Sequence, residues 1–141
     1  MLKTIAAAAI AASALGGAAL AQDAANGEQV FARRCATCHM IVSPGGETIV
    51  RGGKTGPNQY GVIGRQAGTQ EDFKRYGDAL VEAGEKGLVW TEEEVAEYVQ
   101  DPRGYLRDYL DDSGARSRMA YKLRDEGDAA DVAAYLASVA D

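Results

Sequence analysis

Cys35-Ala36-Thr37-Cys38-His39 is the stretch on which the reading of this chain turns. Two thiols stand with two residues between them, and an imidazole follows at once. In an exported protein two cysteines could close one disulfide. A thioredoxin-like redox pair would need a βαβ setting, which the flanking sequence lacks. A structural zinc site would need four ligands, and the chain holds two Cys and one His. The pattern C-x-x-C-H is that of covalent haem attachment. Two thiols add across the two vinyl groups of a porphyrin and become thioethers. The next residue then lies under the ring, where its imidazole can bind iron.

The rest of the iron site follows from what the chain lacks. His39 is the single histidine, so a second axial ligand must be another residue, and Met is the choice of a high-potential cytochrome. Of the three methionines, Met1 leaves with the leader described below. Met40 adjoins His39 and cannot reach the opposite face of the same ring. Met119 remains, in a polar, loop-like stretch. A lone Met is more often a core gap-filler, but elimination and its polar flanks favour ligation here.

Moving outward, the start of the chain is not part of the fold. Met1, Leu2 and Lys3 form a short positive start, Ile5 to Leu20 is apolar or small, and Ala19-Leu20-Ala21 offers a cleavage site before Gln22. Residues 1–21 therefore read as a cleaved signal peptide, which places the domain 22–141 in the periplasm. The apolar run is too short to hold a bilayer well, and no other stretch could, so no membrane anchor is expected. Removing Lys3 leaves 14 basic against 21 acidic side chains, a net charge of −7. That balance argues against nucleic acid as a partner, since phosphate binding needs a basic footprint.

The domain reads as all-α, with short helices joined by long loops. Asp23 can cap a helix to about Cys35, with Gly27, Phe31 and Cys35 on one face. Residues 40–69 hold many glycines with Pro44 and Pro57 and read as irregular loop, not strand. A loop that long needs something to wrap, and a haem would serve. A short helix is expected over 78–83. Thr91-Glu92-Glu93-Glu94 is a capping box that opens a helix with Val95, Tyr98 and Val99 inward. Asp101 caps another, with Pro102 first and Tyr105, Leu106, Tyr109 and Leu110 as its apolar stripe. A last helix starts near Asp128, with Val132, Tyr135, Leu136 and Val139 at i, i+3, i+4, i+7. No strand and no internal repeat is evident.

With these residues located, the chain resembles the class I c-type cytochromes, most of all the bacterial cytochrome c2 group. Gly27 and Phe31, the CATCH motif, Lys54-Thr55-Gly56-Pro57-Asn58, Gly61, Gly64-Arg65, Trp90, Tyr98, Pro102, Met119 and Ala134-Tyr135-Leu136 carry the resemblance. It implies a cytochrome c fold around one haem c, held through Cys35 and Cys38. It implies a Pro57 carbonyl that accepts the His39 Nδ1 proton. Arg65, Tyr76 and Trp90 become partners of the haem propionates, which need such donors when buried. Tyr98 is placed near the Met119 sulfur, and Ser117 stands where the family often has Thr. Gly27 and Phe31 should meet Tyr135 and Leu136 where the first and last helices cross.

The implied function is one-electron transport by a monomer that is not an enzyme. It would run from a cytochrome bc1-type donor to a photosynthetic reaction centre or terminal oxidase. Relatives often ring the haem edge with lysines. This chain instead has Arg116, Arg118, Lys122 and Arg124 about Met119, with no acid between 115 and 124. That local field can steer encounter with acidic surfaces on an otherwise acidic protein. The competing readings are a haem enzyme or gas-binding protein with a labile sixth ligand, which would lack a second His as acid–base group, and a subunit fixed in a larger complex.

Overall fold

A computed structural model describes residues 22–140. The leader expected over 1–21 lies outside the described residues. Among the described residues five α-helices and one small hairpin follow one another: α1 Ala24–Val30, β1 Ile41–Val42, β2 Thr48–Val50, α2 Asp78–Glu85, α3 Glu92–Gln100, α4 Pro102–Leu110 and α5 Glu126–Ser138. α1 runs on into a π-helical turn over Phe31–Cys35. The added residue per turn re-aims the chain just before the Cys-x-x-Cys-His stretch, as π-turns at functional sites commonly do.

Local capping chemistry sets where the helices begin. The Asp23 carboxylate accepts from the amides of Ala25 and Asn26 at 3.0 and 3.1 Å. Thr91 Oγ1 accepts from Glu94 N at 3.1 Å, and three acids in the first turn of α3 complement its dipole. Asp101 caps α4, with Pro102 in the first turn. α5 starts two residues before the expected Asp128, because Asp125 takes the cap by accepting from Asp128 N at 2.9 Å.

α1 crosses α5, and α3 packs on α5. Val30 and Phe31 on one side and Val132, Ala133 and Leu136 on the other are at most 3% exposed. Phe31 and Tyr135 meet with ring centroids 6.0 Å apart. Leu106 is the fully buried residue of the α4 stripe, whereas Tyr109 is 38% exposed. Tyr109 therefore does not face the core as its spacing suggested. It stacks on Tyr105 at 6.0 Å instead.

The hairpin is the larger departure from expectation, since 40–69 reads as pure loop. Ile41 pairs with Val50 and Val42 with Thr48, with an irregularity between the two pairs. Strands of two and three residues are too short to show alternation. What holds this one is distant in sequence: Asn58 accepts from Val42 N at 3.0 Å and donates to Val42 O at 2.8 Å. The loop then returns against the motif through Gly53 N to Ala36 O, Gly56 N to Cys38 O and Gln59 N to Met40 O, at 2.8 to 3.0 Å.

Asp101 joins α4 to the Met119 loop. Its Oδ1 accepts from Gly104 N and lies 2.8 Å from Lys122 Nζ. The hydrogen bond from Lys122, then that from Gly104, holds its carboxyl below the usual carboxylate range. A depressed folded pKa gives stability that is present above the unfolded value and lost as pH falls through the folded one. Asp101→Asn is therefore expected to lower Tm at neutral pH and to narrow toward the parent as the solution is acidified. Thermal unfolding followed from about pH 7 to about pH 2 reads this, and a gap that stays constant across the range would reject it.

Candidate haem site

The motif leaves the π-turn in a tight bend. Cys38 N and His39 N both donate to Cys35 O, at 3.1 and 3.0 Å. This turns both sulfurs and the imidazole onto the wall of one cavity. The cysteines are free, so no disulfide joins them. Burial, and then the Cys38 thiol beside it, push the Cys35 thiol up to about 11.

His39 is held in one orientation. Its Nδ1 lies 2.8 Å from Pro57 O. A carbonyl can only accept, so Nδ1 carries the proton and Nε2 keeps its lone pair. Burial lowers the imidazole pKa, with the Pro57 bond pulling the other way. Neutral imidazole with a free Nε2 is the ligating form. Gln59 Nε2 is 3.1 Å from both Nδ1 and Pro57 O. Since Nδ1–H is a donor, the Gln59 amide donates to the carbonyl. Gly56 lies so close to the ring that a Cβ there would sit 2.2 Å from His39 Cε1. Gln59 was not legible beforehand, because a polar residue in an aperiodic loop carries no signal of its role.

Met119 reaches the same cavity from the loop before α5. Ser117 Oγ accepts from Met119 N at 3.2 Å and donates to Met119 O at 3.0 Å. Tyr98 Oη lies 3.4 Å from Ser117 Oγ, so the buried tyrosine bonds the serine that shapes the loop. Trp90 packs on Tyr98 at 5.0 Å. The Arg65 guanidinium donates to Asn58 O and Tyr60 O. Tyr76 accepts from Gln70 N at 3.2 Å and packs edge-on to Phe73.

All ten residues singled out from the sequence, namely Cys35, Cys38, His39, Pro57, Arg65, Tyr76, Trp90, Tyr98, Ser117 and Met119, line this one cavity of about 470 Å³. That lies within the roughly 300–1,000 Å³ of cofactor pockets. The apolar remainder of the wall includes Phe31, Leu80, Val95 and Leu136. Two thiols, an imidazole with its outer nitrogen tied back, a thioether and a set of N–H and O–H donors suit a covalent haem. They do not suit a structural zinc, which needs four ligands, since among the described residues no three His, Cys, Asp or Glu side chains are placed to hold one metal ion.

The electrostatics need one correction. Lys122 is not free, because Asp101 reaches it from α4, and neither Lys122 nor Arg124 lines the cavity. Arg116 and Arg118 do. Folding adds Arg34, Arg65 and Arg75 to them, and no Asp or Glu stands on the wall.

Short helices wrapped around a haem-sized cavity, with Cys-x-x-Cys-His on its wall, define a class I c-type cytochrome. The chain belongs to the cytochrome c family, whose model matches residues 24–140. It carries one haem c joined through Cys35 and Cys38, and it is an electron carrier. It is 65% identical over 113 residues to cytochrome c-551 of Roseobacter denitrificans, covering 80% of this chain and 78% of that one. With cytochrome c2 of Rhodobacter capsulatus it shares 52% over 136 residues and 96% of each chain. The solved structure of cytochrome c2 from Rhodobacter sphaeroides superposes with a TM-score of 0.80 at 50% identity, over 84% of this chain and 96% of that one. No helix among the described residues is long and apolar enough to cross a membrane.

Proposed function

We propose that the protein is a soluble periplasmic shuttle, released by cleavage after Ala21. It takes single electrons from a cytochrome bc1-type complex and delivers them to a photosynthetic reaction centre or terminal oxidase. His39 and Met119 would hold the haem iron, through Nε2 and the thioether sulfur. The haem supplies a ferrous/ferric couple, and the chain sets its conditions. Pro57 O holds the Nδ1 proton of His39, which fixes the ring and makes Nε2 a better donor. Ser117 and Tyr98 shape the Met119 loop, so that the thioether stays in place and no site opens to substrate. The apolar wall excludes water, which with Met ligation favours the reduced state. Arg65, Tyr76 and Trp90 offer donors to the propionates. This protein is a carrier and not an enzyme.

The observation that carries the shuttle reading is the sign of the cavity wall, which gathers cations and no acids on a protein of net negative charge. Such a face raises the encounter rate with an acidic partner, and salt screens it over about 10 Å at 0.1 M. The test is the rate at which bc1-containing membranes reduce the haem-loaded protein as ionic strength is raised. The parent should slow steeply, and Arg116→Gln with Arg118→Gln should be about tenfold slower at low salt, with a shallower slope. A flat salt response in the parent would remove the docking reading.

A further inference from the structure

We infer that Tyr109, Tyr105, Tyr98 and Trp90 form an aromatic relay through which the reduced protein quenches small oxidising radicals at its surface, with Glu94 holding the phenolic proton of Tyr105 as the electron passes. This activity is distinct from electron carriage between proteins. Its port, Tyr109, stands off the cavity wall on which the docking reading rests.

The rings run without a break from the cavity to solvent. Trp90 and Tyr98 are on the cavity wall, with centroids 5.0 Å apart. Tyr105 meets Tyr98 edge-on at 5.6 Å and Trp90 at 6.3 Å. Tyr109 lies one turn further along α4 and stacks on Tyr105 at 6.0 Å, with the ring planes 18° apart. It is 38% exposed. Every step lies within the roughly 4.5–7 Å of aromatic contact.

A proton acceptor stands where such a relay needs one. Tyr105 Oη donates to the Glu94 carboxylate across the α3–α4 junction. Loss of an electron makes a phenol strongly acidic, so a tyrosine is oxidised easily only where its proton can leave at the same moment to a positioned base. Burial, and then the bond to Glu94, hold the Tyr105 phenol above the usual tyrosine range. It therefore rests as the phenol, and its proton leaves only as its electron does. Tyr109 exchanges its proton with water.

The step balances. A phenoxyl-type radical takes one electron and one proton from Tyr109, becomes a phenol, and leaves Tyr109 as a phenoxyl. Tyr105 reduces Tyr109, which takes a proton from water, while the Tyr105 proton goes to Glu94. The ferrous haem reduces Tyr105 across Tyr98 and Trp90, and Glu94 returns the proton. In sum, one radical, one ferrous haem and one solvent proton give one phenol and one ferric haem. Met ligation does not raise a haem potential to that of tyrosine, so the electron runs outward.

The test uses the reduced, haem-loaded protein and azidyl radicals made by pulse radiolysis, each of which takes an electron from tyrosine and becomes azide. Phenoxyl absorbance and loss of the ferrous α-band are followed together. In the parent, phenoxyl should form first and then decay at the same first-order rate at which ferrous haem is lost. Tyr109→Phe should lower the phenoxyl yield and remove this phase. Tyr105→Phe keeps the ring and removes the oxidisable hydroxyl. It should retain the phenoxyl yield and lose the phase, the stranded Tyr109 radicals coupling into fluorescent dityrosine. Glu94→Gln should slow the phase on the order of a hundredfold, the low end for a positioned proton acceptor. Heavy water should slow the parent, which a purely structural Tyr105–Glu94 tie would not produce. Unchanged visible spectra and Tm values show that each variant is folded around its haem. If Tyr105→Phe or Glu94→Gln runs at the parent's rate, the inference is overturned. It is overturned equally if the parent shows no first-order phase, or if Tyr121→Phe and not Tyr109→Phe removes it, since Tyr121 lines the cavity and radicals would then enter there.

Discussion

Met119→Ala, matured with haem, is expected to lose the Met–iron charge-transfer band, to shift its reduced spectrum in carbon monoxide, and to drop in reduction potential. The parent should show the band and no carbon monoxide shift. Axial ligands set haem potentials over a range of about 0.8 V, so a fall on the order of 100 mV or more is a modest share of that range. The size follows from what the chain can offer in exchange. His39 is the one imidazole in 141 residues, so no second histidine can take the vacated position. Met119 is half-buried on the cavity wall, and alanine leaves space there for a small ligand. Ser117 and Tyr98 hold the backbone around Met119 without using its sulfur. The variant should therefore keep its fold while its iron chemistry changes. Spectroelectrochemistry with a carbon monoxide titration decides it. A parent that already binds carbon monoxide readily would favour the gas-binding or enzyme reading.

Gly27→Val carries the largest expected cost in stability, about 3 kcal/mol or more, at the upper end for overpacked cores. A Cβ at Gly27 would sit 1.9 Å from Asp131 O and 2.9 Å from Tyr135 Cβ. Both belong to the framework of α5, and neither is the end of a flexible side chain. The helices must separate, and Val30, Phe31, Val132 and Leu136 lose contact as they do. For a domain of this size the loss corresponds to a fall in Tm of roughly 10 °C or more. Gly45→Ala is the control, because the nearest atom to its Cβ is Ser43 Oγ at 3.8 Å and its φ is not positive. Thermal unfolding of the two haem-loaded variants reads the difference directly. Equal Tm values would mean that α1 does not depend on glycine at the crossing.

The elements that were legible in advance are those set by neighbours in the chain. Asp23, Thr91 and Asp101 could be placed as caps because a cap bonds amides two or three residues away. Periodicity found Leu106, Val132, Tyr135 and Leu136 in the core for the same reason. It overreached at Tyr109, since spacing places a residue on a helix face but does not say how far the neighbouring element extends to cover it. The start of α5 moved to Glu126 because, of several acids nearby, Asp125 takes the cap. The hairpin at Ile41–Val42 and Thr48–Val50 had no periodic signal, and its clamp, Asn58, lies outside it.

The attachment chemistry, the number of histidines and the short list of axial candidates could be read from the chain, because these depend on residue identity and adjacency alone. Capping and spacing likewise showed a domain built of short helices. Which carbonyl orients His39, and that Gln59 shares it, came from the packed fold. The same packing paired Lys122 with Asp101 and brought Arg34 and Arg75 to the wall beside Arg116 and Arg118. These are contacts between segments tens of residues apart, made by polar groups in aperiodic loops. Such groups leave no pattern in the chain, and their partners appear only once the hydrophobic faces of the helices have packed.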